Sequence, residues 1–381
     1  MIYLDNSATT KMDERAAHMA VHYMCDEYYN PAAAYAASAG VEKEIEKARS
    51  MVATAVGCKS EEIIFTSGGT ESNNMAVFGV LKKWKGSGKI ITTAVEHPSV
   101  LETVRSAADE RNMELIVLPV DITGAPDMRA LENALDDKVA LVSMMHVNNE
   151  LGTVTDIHSV AKLLKEHASH ARYHADGVQG FLKCPMQATD MDFYSASAHK
   201  FHGPKGVGFL YIKKGMPFGG GQLGGGQEQN LRSGTLNVPG IMATAAAVQT
   251  YTQNIFEIRE HLCNCKKRLY SNLISLPDVV LNGPDVETGA PHILNMSFLG
   301  VRSAVLINAL SSLGTYVSAG SACSSHKKNG NRILNACGIT GDRQEGAVRF
   351  SIGRFNTAEE MDTVSQQIDE QIRFLRKYRR R

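Results

Sequence analysis

Residues 195–212, SASAHKFHGPKGVGFLYI, set one lysine (Lys200) and two histidines (His199, His202) in a polar cluster that ends in glycines, just ahead of the apolar run GVGFLYI. Such a run reads as a buried strand, and GPKGVG as the tight turn that returns the chain to a sheet. The same pattern recurs upstream. EIIFTS, KIITTAV, LIVLPV, VALVSMMHV, RYHAD and DFYSAS are further strand candidates, most of them ending at a polar or glycine-rich turn, with amphipathic stretches between them. From about residue 13 to 250 this alternation predicts an α/β unit on a mostly parallel sheet. The clearest helix is SAGVEKEIEKARSMVATAV. There Val41, Ile45, Ala48, Val52 and Ala55 recur at helical steps, and Ser38 is the expected N-cap.

Working outward, MPFGGGQLGGGQEQNLRSGTLNVPG is too rich in glycine for regular structure and reads as a long functional loop. A helical stretch, IFEIREHLCNCKKRLYSNLI, and new strands follow it, which predicts a second, smaller lobe, as 381 residues would require. Forty basic residues balance forty acidic ones, which speaks against a generic nucleic-acid or acidic-membrane binder. The RKYRRR ending reads as a solvated helix end. Seven scattered cysteines and an N-terminus without a basic start or apolar run predict a cytoplasmic protein, and the longest apolar segment is too short and too broken to span a bilayer. Cys263 and Cys265 lack a second pair of ligands at zinc-like spacing, so they are read as packing or surface residues, with no metal expected.

In open α/β sheets ligands gather beyond the carboxyl ends of the strands. The segments just past the candidate strands therefore carry the chemistry. Ser67-Gly68-Gly69-Thr70 leads into a helix whose N-terminal amides, with the Thr70 hydroxyl, would cup a phosphate. His97 stands at a strand end before a helix opened by Pro98; Asn148 and Asn149 follow another strand and would also suit an ordinary turn. Asp176 ends RYHAD, and Gln179 lies three residues on. A phosphate cup, an imidazole able to stack, a buried carboxylate and a lysine at a strand end together match the needs of pyridoxal phosphate.

YLDNSATT, FTSGGTESNN, EHPSV, VNNELGT, HADGVQG, SAHKFHGPKGVG, GGGQEQNLRSGT, SAGSACSS and RFSIGRFNT occur in that order. With them, over nearly its whole length, the chain resembles the cysteine desulfurases of the NifS/IscS type. These belong to the class V aminotransferase group of fold type I pyridoxal-phosphate enzymes. The resemblance implies a large α/β domain over residues 13–250 with a mostly parallel seven-stranded sheet. It also implies a smaller α+β domain, from residues 1–12 and 251–381, carrying the catalytic cysteine loop. Pyridoxal 5'-phosphate is the implied cofactor, and L-cysteine the substrate, converted to L-alanine. Its sulfur would pass as a persulfide to an acceptor protein, an iron–sulfur scaffold or a tRNA-thiolation enzyme.

Position by position, the resemblance implies that Lys200 is the Schiff-base lysine and moves the substrate's α-proton. His97 would stack on the ring as an acid or base, Asp176 would pair with the pyridine nitrogen, and Gln179 would meet the phenolic oxygen. Gly69, Thr70, Ser197 and His199 would hold the phosphate, with Thr235 reaching the cofactor of a second subunit in a homodimer. Asn149, also placed beside the cofactor, and Arg354 would receive the substrate carboxylate, and Cys323 of GSAC would take the sulfur as a thiolate. His202 and Lys205 are read as supporting residues. A selenocysteine lyase or a class V aminotransferase would share this scaffold. The sequence departs from the family at Tyr29-Asn30-Pro31-Ala32-Ala33-Ala34-Tyr35, where Gly-Asn-Pro-Ser-Ser-x-His is usual, and at His326, Lys327 and Lys328 after Cys323. The first departure bears on the pocket entrance and the second on the acceptor.

Overall fold

The computed structural model describes residues 1–320 and 331–379. A short strand, β1 (Ile2–Tyr3), comes first. Seven strands then build the main sheet: β2 (Ile63–Thr66), β3 (Lys89–Thr93), β4 (Glu114–Leu118), β5 (Val139–Met145), β6 (Arg172–Asp176), β7 (Phe193–Ser197) and β8 (Gly208–Ile212). They lie in the order β2-β8-β7-β6-β5-β3-β4. β8 is antiparallel to β2 and β7, and the remaining pairs are parallel. These seven strands are the seven runs expected from the sequence.

Successive side chains of a strand point to opposite faces, so a sheet covered on both sides needs apolar residues at consecutive positions. Ile63, Phe65, Tyr194, Phe209 and Tyr211 accordingly pack on one face with the helices Ala36–Val56 and Val238–Gln253. Ile64, Ile90, Leu141, Phe193 and Leu210 pack on the other with the helices Gly69–Leu81 and Pro98–Arg111. Each such side chain, fully buried, contributes on the order of 1.5–3 kcal/mol.

The helix Ala36–Val56 starts earlier than expected. Its N-cap is Tyr35, and Ser38 is buried inside the first turn with its hydroxyl unpartnered. Ala36 and Ala37 are strong helix formers and carry the helix past the serine that the sequence offered as a cap.

After the glycine-rich loop the helix Ile255–Ile274 forms over the stretch read as helical. It is followed by β9 (Val279–Asn282), β10 (Ile293–Phe298), β11 (Thr315–Tyr316) and β12 (Ala347–Ser351), before the last helix, Ala358–Arg379. β9, β10 and β12 form an antiparallel sheet with β10 central, and β11 pairs with β1 in parallel. Between β1 and residue 13 the chain runs past both regions: Ser7 N–H donates to Ser351 Oγ (2.8 Å), and the Thr10 hydroxyl to the His199 carbonyl (2.9 Å). Among the described residues no helix is long and apolar enough to cross a membrane.

Candidate active site

The carboxyl ends of β2, β3, β5, β6 and β7 converge on a cavity of about 270 Å³. Of the residues expected at the site, Gly69, Thr70, His97, Asn149, Asp176, Gln179, Ser197, His199 and Lys200 all line it. Lys200 ends the short turn after β7, and its Nζ donates to the Ser7 carbonyl (2.5 Å) and the Ala8 carbonyl (2.7 Å). Asp176 is the last residue of β6, with Oδ1 accepting from Val178 N–H (3.0 Å) and Oδ2 from Asn73 Nδ2 (2.8 Å). Both carboxylate oxygens are thus held in place by donors.

Gly69, Thr70, Ser197 and His199, expected to cup a phosphate, line the cavity together. Gly68, at φ 149°, turns the chain from β2 into the helix Gly69–Leu81 through a backbone angle that suits glycine. A Cβ on Gly69 would lie 2.4 Å from Val178 Cγ2 and close the cup. His199 faces the same end, its Nδ1 3.1 Å from Thr9 Oγ1. Burial, reinforced by Lys200, Lys205 and Lys183, pushes its pKa down to about 3.

His97 caps the helix Pro98–Arg111, its Nδ1 accepting the Ser99 N–H (3.1 Å). Its pKa is lowered, chiefly by burial, with Lys200 and Arg332 opposing the cation and Asp176 and Glu150 favouring it. The two asparagines after β5 divide their labour. Asn148 builds the turn, accepting from Glu150 N–H and Leu151 N–H (both 2.9 Å), whereas Asn149 faces the cavity with a buried, unpartnered Oδ1.

Arg354 is placed elsewhere than expected. Its guanidinium pairs with the Asp13 carboxylate and lies over the Phe355 ring (4.6 Å), away from the cavity lining. The arginine that does line the cavity is Arg349, in the middle of β12 and 1% exposed. Its Nη2 reaches Asp5 Oδ1 (2.6 Å), its Nη1 donates to the Asn149 carbonyl (2.9 Å), and its Nε is buried without a partner. Arg354 lies past the end of β12, beyond the reach of the strand that enters the site. Arg349 was not expected here; a single arginine inside the apolar strand AVRFS is the signal that could have marked it.

Thr235 lines a separate cavity of about 480 Å³ with Pro31, Arg49 and Glu228. That cavity includes Asn30, Pro31 and Ala32 of the unusual segment 29–35, whose Tyr29 stacks on Tyr28 (5.0 Å) and meets Tyr35 edge-on (6.2 Å). Cys323, with His326, Lys327 and Lys328, lies outside the described residues. Sequence reasoning missed Ser7, Ala8, Asn73 and Ser99. The first two serve the site through main-chain carbonyls, which any residue carries.

The chain matches the aminotransferase class-V family model over residues 2–364. It is 36% identical over 378 residues to cysteine desulfurase IscS of Methanosarcina thermophila, and 38% identical over 383 residues to that of Escherichia coli. Each alignment covers 98% of this chain and 93% of the relative. The chain belongs to the NifS/IscS-type cysteine desulfurases. A solved NifS-like protein has the same fold, at 36% identity and a TM-score of 0.91, covering 98% of this chain and 99% of its own.

This enzyme is therefore pyridoxal-phosphate-dependent, of fold type I. Its cavity fits the cofactor. Ser7 Oγ, Asn73 Oδ1, Asn149 Oδ1, Gln179 Oε1 and Arg349 Nε are all buried without a partner, and all five residues line this one cavity. Unpaired buried polar atoms are costly, and so many around one space call for a polar ligand.

Proposed function

We propose that this enzyme takes sulfur from L-cysteine, releases L-alanine, and carries the sulfur as a persulfide on Cys323. The observation that carries the reading is the convergence of Lys200, Asp176, His97 and the phosphate cup on one cavity. Gly69, Thr70, Ser197 and His199 would hold the cofactor phosphate, Asp176 would pair with the ring nitrogen, Gln179 would meet the phenolic oxygen, and Asn149 would stand beside them. When bound, pyridoxal phosphate supplies an electron sink conjugated to the amino acid's α-carbon.

With the cofactor bound, Lys200 Nζ would be the group in the cavity that takes the substrate's α-proton and later returns it. Arg349, rather than Arg354, receives the substrate carboxylate beside Asn149, a task suited to a guanidinium already fixed by Asp5. Cys323 then attacks the substrate sulfur as a thiolate. A sulfur–sulfur bond forms, the Cβ–Sγ bond breaks with its electron pair left on the carbon side, and a proton gained at Cβ together with the α-proton returned by Lys200 completes alanine.

Residues 13–250, and residues 1–12 with 251–381, act as two domains in this reading. Two copies form the active species, with Thr235 of each copy turned to the phosphate of the other. The persulfide goes to an acceptor protein in the cytoplasm that builds iron–sulfur clusters or thiolates tRNA.

Incubation with L-cysteine and dithiothreitol should give alanine and sulfide in equal amounts. Cys323→Ala should abolish both. Full turnover in that variant sinks the persulfide role, and light scattering that finds a monomer sinks the shared site.

A further inference from the structure

Asn73 and Ser99 connect two walls of the cavity that come from different elements. Asn73 Nδ2 donates to Asp176 Oδ2 (2.8 Å) and to Ser99 Oγ (2.9 Å), and Ser99 Oγ stands 2.8 Å from His97 Nδ1. The directions of these bonds follow from what each group has to give. A carboxylate only accepts, so the Asn73 amide must turn its NH₂ toward Asp176, and both amide protons are then used. Ser99 Oγ receives one of them and keeps its own proton to donate. His97 Nδ1 already accepts the Ser99 main-chain N–H (3.1 Å), so it bears a lone pair and accepts the hydroxyl as well. Which ring nitrogen of a histidine holds the proton is set by the hydrogen bonds of the other.

We propose that Ser99 and Asn73 are positioning residues that tie His97 to Asp176 and lock its neutral ring as the Nε2–H tautomer. His97 then meets the substrate as a hydrogen-bond donor at Nε2 and not as a base. This deepens the proposed function and rests on its placing of His97 and Asp176 against the cofactor.

Protonating Nδ1 requires the Ser99 hydroxyl to turn away and leaves the Ser99 N–H facing another N–H. The charged groups around His97 are Asp176 and Glu150, which favour its cation, and Lys200 and Arg332, which oppose it; none of them is altered by changing Ser99. Removing the hydroxyl should therefore make the ring easier to protonate.

The test is a pH titration of full-length holoenzyme labelled with ¹⁵N-histidine, followed by two-bond ¹H–¹⁵N correlation and assigned with His97→Gln. The wild-type ring should show the Nε2–H signature. Ser99→Ala should raise the His97 protonation constant roughly three- to tenfold, the worth of one hydrogen bond, and Ser99→Thr should restore it. An Nδ1–H signature in the wild type, which needs no variant to fold, overturns the proposal. So does an unmoved titration in Ser99→Ala, the result expected if Ser99 merely caps its helix. Missing cofactor absorbance in the same sample would count against the functional reading, while the tautomer signature still decides this proposal.

Discussion

Glu96, next to His97, is fully buried at the end of the β3 region. Its Oε1 accepts from the Thr93 hydroxyl (2.7 Å) and Met145 N–H (2.9 Å), and its Oε2 has no partner. Burial, with a smaller push from Asp176, raises its pKa from 4.5 to about 8. The folded chain thus binds this proton more tightly than the unfolded one. The associated stability is fully present below about pH 4.5 and is lost progressively as the pH climbs to about 8, above which the loss is complete. At about 1.36 kcal/mol per pH unit, the window spans on the order of 5 kcal/mol.

Glu96→Gln keeps the accepting carbonyl and puts an uncharged NH₂ where Oε2 stands. The difference in unfolding free energy, Glu96→Gln minus wild type, should grow by up to about 1.4 kcal/mol for each pH unit across that window. Groups common to both proteins cancel in the difference. Guanidinium unfolding of both, with pyridoxal phosphate held at one concentration, measures it over the range from about pH 5 to 8.5. A difference that does not change with pH would refute the reasoning.

Lys200→Ala should lower desulfurase turnover by about 10²–10⁴-fold or more and remove the lysine adduct that borohydride otherwise traps, as read by peptide mass mapping. Arg349→Gln should cost about 1.5–3 kcal/mol in kcat/KM for L-cysteine, roughly ten- to a hundredfold, whereas Arg354→Gln should leave KM near the wild-type value; steady-state kinetics separates them. Arg49→Met should destabilise the fold by about 3–5 kcal/mol, seen as a lower denaturation midpoint, because it strands the buried Glu228 carboxylate. That carboxylate now takes two Arg49 contacts of 2.8 Å and the Phe65 N–H at 2.7 Å.

The seven strands of the main sheet were legible because most are apolar runs closed by a polar or glycine-rich turn, as fits strands buried on both faces. The more polar β6 (RYHAD) and the half-exposed edge strand β4 still end at such turns. Nine of the residues expected at the site line the cavity: the glycine turn, His97, Asp176 and Lys200 stood out at strand ends, while Asn149, Gln179, Ser197 and His199 were placed there by the family's motifs. Other features left weaker marks. Ser38 looked like a cap, but local helix propensity continued through it. Arg354 sits in a recognisable motif, yet strand alternation sends Arg349 into the cavity instead. Ser7 and Ala8 left no mark, since a carbonyl oxygen has no residue type. The Asn73–Ser99 link joins two helices 26 positions apart and could not be seen before the fold was known.

The amine of Lys200 is aimed by carbonyls 193 and 192 positions before it, and the same N-terminal segment is fastened to Ser351, 344 positions beyond Ser7. Contacts so distant along the chain form only after large loops have closed. The segment meets distant partners at residues 199–202, but its anchor at Ser351 waits for nearly all the rest of the chain. A nascent fragment that already possessed the whole seven-stranded sheet would hold the lysine and the carbonyls that aim it, but would still lack the Ser351 anchor that fastens those carbonyls.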